Sequence, residues 1–140
     1  MAALVPVFFY NFTLDIGNGV HTPFNTQSFK IALTNTQPDA TTDVEFADIS
    51  EISAINGYAA GGNSCSFSSW SQVNGKATLV LQDPANFVAN GGSFDTFQWL
   101  VLYNSSASAG TGLIFYTDYG APVTLTNGTP FPVQLDSVNG

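Results

Sequence analysis

From Phe94 to Tyr103 apolar residues first stand apart, at Phe94, Phe97 and Trp99, with Phe97 and Trp99 at alternate positions, and then close into the unbroken run Trp99 to Tyr103. This pattern predicts a strand that is buried on both faces at one end. The polar, Gly-containing segment Asn104 to Gly112 has the composition of a loop, and Leu113 to Tyr119 resumes with β-branched and aromatic residues. Two adjacent antiparallel strands follow, and they form the expected centre of the core. Nothing in this stretch has the look of an active site.

The remaining segments are short and separated by turn residues. Between Phe8 and Ile16 every even position is apolar, which fits a strand, while Phe9, Phe12 and Ile16 also fit one face of a helix. Gly17, Asn18 and Gly19 end the element in either case. The crowding of Phe8, Phe9, Tyr10 and Phe12 near the terminus leaves two readings open: a terminal strand tucked into the core, or an aromatic arm (residues 1–20) that docks on a neighbour.

Ser28 to Thr34 alternates Phe29, Ile31 and Leu33 against Lys30 and Ala32, which predicts a half-buried strand with its lysine in water. Val44 to Ile55 spaces Phe46, Ile49, Ile52 and Ile55 by three and predicts a short helix capped by Asp43. Phe67 to Val73 and Lys76 to Gln82 flank Asn74-Gly75, the strongest local signal for a hairpin. Asp83-Pro84 predicts one helical turn over Ala85 to Ala89. Gly120 to Pro122 predicts a turn, Val123 to Thr126 a short strand, Asn127-Gly128 a second turn, and Phe131 to Leu135 a last strand. Pro130 and Pro132 place that strand at a sheet edge. The fold class expected is all-β: a single antiparallel β-sandwich or jelly-roll-like barrel over residues 1–140, with one or two short helices.

Composition narrows the function classes. Lys30 and Lys76 are the only cationic side chains, there is no Arg, and the formal net charge is -8. That argues against contact with nucleic acid, which requires several cations to displace counterions, and against binding to anionic membranes. No apolar run approaches the ~20 residues a membrane-spanning helix needs. Met1 to Tyr10 is apolar but has neither a basic leading segment nor a clear cleavage site, so a chain made in the cytosol is expected. Only 9% of residues are charged, against about 25% in an ordinary globular domain. A surface covered instead by Asn, Ser, Thr and Gln suits a protein packed against copies of itself or a scaffold, although an ordinary monomer has the same option.

Catalytic and metal chemistry find little support. His21, the only histidine, follows a turn and reads as a surface or capping residue, and no nucleophile elbow or phosphate-binding loop accompanies it. Asp43, Glu45, Asp48 and Glu51 read as the exposed face of a short helix rather than a calcium cage or a glycosidase pair. Cys65 is alone and reads as a small buried hydrophobe. Trp70, Trp99, Tyr103, Tyr116 and Tyr119 are candidates for stacking on sugars, but Trp99 and Tyr103 lie in the most apolar run and are expected in the core. No enzyme, cofactor or metal is therefore expected.

FKIALTNTQPDAT at Phe29 to Thr41, ADISEISAINGYAAGG at Ala47 to Gly62, ATLVLQDPANFVANGGSF at Ala77 to Phe94, LVLYNSSAS at Leu100 to Ser108 and the ending VTLTNGTPFPVQLD occur in a telling order. Together they resemble a family of small tailed-bacteriophage virion structural proteins, often labelled tail-fibre-like. The likeness runs from about His21 onward and is weaker before it. It implies a capsid cement, or decoration, protein on the outer surface of the virion. Its partners would be the major capsid protein and its own copies, as a trimer suited to local threefold axes. The alternative it leaves is a tail-associated protein that binds host-surface glycans. No catalytic residues come with the family.

Overall fold

The computed structural model describes residues 4–136. Its strands are β1 (Pro6–Phe8), β2 (Phe29–Thr34), β3 (Asn63–Cys65), β4 (Phe67–Val73), β5 (Lys76–Leu81), β6 (Phe87–Val88), β7 (Phe97–Asn104), β8 (Leu113–Val123) and β9 (Pro130–Phe131). One α-helix, α1 (Tyr10–Gly17), and two 3-10 turns, at Phe24–Thr26 and Phe46–Asp48, complete the regular structure. The all-β expectation holds, with antiparallel pairing throughout and no closed barrel.

Five strands form the central sheet in the order β1-β8-β7-β2-β3, and β4-β5 and β6-β9 form two-stranded ribbons. The apolar run of β7 sits between β2, with Ala32 opposite Val101, and β8, with Tyr116 opposite Val101 on the other side. Being central, β7 must be covered on both faces, and it is: Leu100 through Asn104 are all buried. On one face Leu100, Leu102, Ile31 and Leu33 meet Leu81, Phe87 and Phe131 from the ribbons in the main core. On the other, Val101, Tyr103, Ala32 and Leu113 form a smaller cluster with Phe9 and Ile49. This second cluster corrects the expected half-buried β2: Ala32 and Thr34 are fully buried, and Lys30 is half-buried rather than free in water.

The Asn74-Gly75 hairpin is as predicted, with both residues at positive φ, 50° and 82°. Several local expectations are corrected. The helix over Val44 to Ile55 is only a 3-10 turn at Phe46–Asp48, and its cap is Glu45 rather than Asp43. Asp48 closes a capping box by accepting from the Glu45 N–H at 3.1 Å. The turn expected after Asp83-Pro84 is instead β6, because the Asp83 carboxylate is taken by the Leu135 N–H at 2.7 Å and Phe87 alternates inward to pair with Phe131. Gly120 to Pro122 does not turn the chain but continues β8. Gly120, at φ 93°, lies where the register shifts between Trp99 opposite Asp118 and Phe97 opposite Val123. The separate strand expected over Val123 to Thr126 is thus the end of β8, followed by irregular chain, and the last strand shortens to Pro130–Phe131. The first three residues of the apolar Met1 to Tyr10 stretch lie outside the described residues.

Candidate interaction surface

The Phe8 to Ile16 ambiguity resolves into both alternatives in succession: a strand to Phe8, then a helix from Tyr10. Phe9, extended at φ -67° and ψ 140°, is the junction, and its N–H bonds to the Ile114 carbonyl at 3.1 Å. Its side chain is 1% exposed and lies against the Tyr116 ring at 5.4 Å. The helix beyond it faces the wrong way for an ordinary amphipathic helix. Its acidic residue, Asp15, is buried, while Tyr10 and Leu14, four apart on one stripe, are 71% and 59% exposed. Phe8 is 51% exposed and half-buried Phe12 stacks on it at 5.6 Å. Of the four residues predicted for an interface, Phe9 is therefore core, Phe8 and Tyr10 are surface, and Phe12 lies between.

Val5, Val7, Phe8, Tyr10, Leu14 and Ile16 carry most of the large apolar surface left exposed among the described residues, while Ile55, Trp70, Val73 and Val88 lie elsewhere in the chain. Scattered apolar residues need no explanation, but neighbouring ones mark a contact, and here they fall on two sides of β1: Val5 and Val7 on one, and Phe8 with Phe12 on the other. Beside β1, Val5, Val7, Trp99 and Tyr116 line an open groove of about 420 Å³ with Gln37 and Asp118 also in its wall. Gln37 also borders a second recess of about 130 Å³, whose lining includes Asp39, Asp43 and Asp48. Hydrogen bonds from the Thr41 hydroxyl and N–H hold Asp39 below the usual carboxylate range, and the Val44 and Glu45 N–H groups do the same for Asp48. Both carboxylates are thus anionic at neutral pH.

The expectation that His21 is a surface or capping residue is overturned: its side chain is 0% exposed. Nδ1 lies 3.4 Å from the Asn104 amide nitrogen, and Nε2, which has no hydrogen-bond partner, faces Asp15 Oδ2 at 3.9 Å. Asp15 in turn accepts from Asn11 Nδ2 at 2.8 Å and the Gly112 N–H at 3.1 Å. This cluster ties α1 to the end of β7 and to the loop before β8. No local pattern announces it, because Asn104 is 83 residues away in sequence. No hydroxyl or thiol is bonded to His21 among the described residues, so the cluster lacks the nucleophile of a triad.

Burial pushes His21 below its ordinary pKa of 6.5, with Asp15 opposing the shift. The folded state therefore binds the proton less readily than the unfolded chain. The contribution to stability is intact above pH 6.5 and is lost as pH falls from 6.5 toward the depressed value. Urea unfolding at about pH 7.5 and about pH 5 is expected to show this fall, limited to about 1.4 kcal/mol per pH unit for one proton, and His21→Gln is expected to flatten it.

Tyr58 and Glu51 form a structural hydrogen-bond network. The Tyr58 hydroxyl donates to Glu51 Oε1 at 2.7 Å and accepts from the Leu33 N–H at 3.0 Å, while Gly61 N–H donates to the same Glu51 oxygen at 2.6 Å. Glu51 and Asp48 thus hold loops in place, rather than forming the exposed helical face expected of them. Burial raises the Tyr103 hydroxyl to about 12 and the Cys65 thiol to about 12, which leaves the thiol, buried as expected, unreactive at neutral pH. Tyr103 fills the second core, stacked on Phe46 at 4.0 Å, whereas Trp99 is only half-buried in the groove. Trp70 is exposed on the β4-β5 ribbon and rests on Phe24 at 4.6 Å. Among the described residues no group of three or more His, Cys, Asp or Glu side chains could hold a metal ion.

Comparison with protein-family models, curated proteins and solved structures finds no match to this chain.

Proposed function

We propose that the chain is a non-enzymatic structural subunit that works by adhesion: a cement protein on the outer surface of a tailed-phage head, bound to capsid subunits and to its own copies, as a trimer. The observation that carries the reading is the inverted helix α1, which buries Asp15 and presents Tyr10 and Leu14 to solvent. A contact through that stripe brings no carboxylate of the helix against a partner, on a chain whose net charge is -8. The resemblance of the segments from Phe29 onward to virion structural proteins suggests the setting. The glycan-binding alternative has Trp70 as its exposed aromatic platform.

Because Tyr10 and Leu14 are exposed, Tyr10→Gln with Leu14→Gln is expected to change folding stability by no more than about 0.5 kcal/mol. The same double variant is expected to lose self-association in sedimentation velocity and incorporation into particles. Counting copies per virion by quantitative mass spectrometry fixes the location: on the order of hundreds for a head shell, a few dozen or fewer for a tail. A low count, or glycan binding abolished by Trp70→Ala, would move the assignment to the tail.

A further inference from the structure

Resting on the reading of the N-terminal segment as a docking surface, we propose that the groove beside β1 receives a cationic, apolar segment of a different protein. Its apolar side chains lie on Val7, Trp99 and Tyr116, and its Arg or Lys side chains meet Asp118 in the groove and the Asp39, Asp43 and Asp48 recess past Gln37. Charge complementarity selects this occupant. The groove shares Gln37 with a neighbouring recess lined by three carboxylates, two of which are held ionised by hydrogen bonds.

A second copy offers at most one exposed lysine, Lys76, against four carboxylates. Its only cations are Lys30 and Lys76, the first half-buried against Gly61 and the second in the β4-β5 hairpin. Bringing one chain of net charge -8 onto another at an acidic rim is repulsive. Strand addition to β1 is blunted as well. The Phe9 N–H points at Ile114, so by alternation Val7 turns toward β8 and Pro6 and Phe8 turn away, and Pro6 has no N–H to offer an incoming strand. Recognition therefore falls to side chains, with the aromatic floor giving area and the acidic rim giving register.

The test uses the full chain with Trp70→Phe, which leaves Trp99 as the only tryptophan. A capped synthetic peptide alternating Arg with Leu is titrated against Trp99 emission, beside a peptide with Glu replacing Arg and beside the protein alone at rising concentration. Saturable binding of the Arg peptide is expected, with no response to the Glu peptide. Asp118→Asn is expected to weaken binding about tenfold, whereas Asp83→Asn, whose carboxylate serves Leu135, is expected to leave it unchanged. Equal response to both peptides, equal weakening by the two Asn variants, no response, or a Trp99 shift caused by concentration alone would each overturn the proposal. Failure here with particle incorporation still dependent on Tyr10 and Leu14 removes the cationic partner and leaves the adhesion reading standing, and the converse result separates them the other way.

Discussion

Gly62→Ala is expected to destabilise the fold by about 4 kcal/mol or more, enough to leave much of the chain unfolded. Gly62 sits at φ 75°, a conformation that costs an L-residue roughly 1–2 kcal/mol before any contact is considered. Its position adds a collision. A methyl group there would overlap the Ile31 carbonyl oxygen and lie 2.6 Å from the Ile31 carbonyl carbon and 2.8 Å from Ala32 Cα. These are backbone atoms of β2, which is hydrogen-bonded on both sides and cannot give way. The next residue, Asn63, begins β3 opposite Ile31, so relief would come only by peeling β3 from the sheet. Gly91, at φ 81° with open space around it, is the control: Gly91→Ala is expected to cost only about 1 kcal/mol. Urea unfolding of both variants checks the contrast, and equal losses would show that the close approach to β2 is wrong.

Phe97→Ala is expected to cost about 3–5 kcal/mol. Phe97 is fully buried at the start of β7 and meets Phe131 edge to face at 5.1 Å. Phe131 in turn contacts Tyr119 at 5.3 Å and pairs with Phe87 across the β6-β9 ribbon. The ring is therefore one of the contacts that join the central sheet to the two-stranded ribbon, which depends on such packing because isolated pairs of strands are marginal in water. Phe97→Leu is expected to recover part of the loss by filling some of the cavity. A cost below about 1 kcal/mol for the alanine variant would mean that the ribbon does not rest on this contact.

The parts of the fold legible in the sequence are those set by neighbours along the chain. The apolar run Trp99 to Tyr103 needs two covered faces wherever it lies, and Asn74-Gly75 accepts positive φ without help from tertiary structure. The Val44 to Ile55 helix fails for a reason visible only in three dimensions. Ile49 belongs to the smaller cluster and Ile52 to the main core, so the two side chains separate where a helix spaced by three would have aligned them. The Ile52 N–H bonds to the Leu33 carbonyl at 3.1 Å, and Glu51 bridges to Thr34, so the segment crosses the sheet as irregular chain.

The candidate surface was half legible. Aromatic crowding at Phe8 to Phe12 marked the segment, but alternation could not reveal that Phe9 alone turns inward. The burial of Asp15 and His21 is not legible in the sequence, because an acidic residue among apolar neighbours reads as a helix's wet face and a histidine after a turn as a surface residue, and only the distant Asn104 and Gly112 bury them. That inversion is what leaves Tyr10 and Leu14 exposed among the described residues.

Hydroxyl-radical footprinting of Phe8, Tyr10 and Leu14, comparing the free chain with the chain in assembled particles, addresses this most directly. Strong labelling in the free state and protection of these three side chains in the particle are the expected results. Equal labelling in both states, with Trp70 or another face protected instead, would contradict the account.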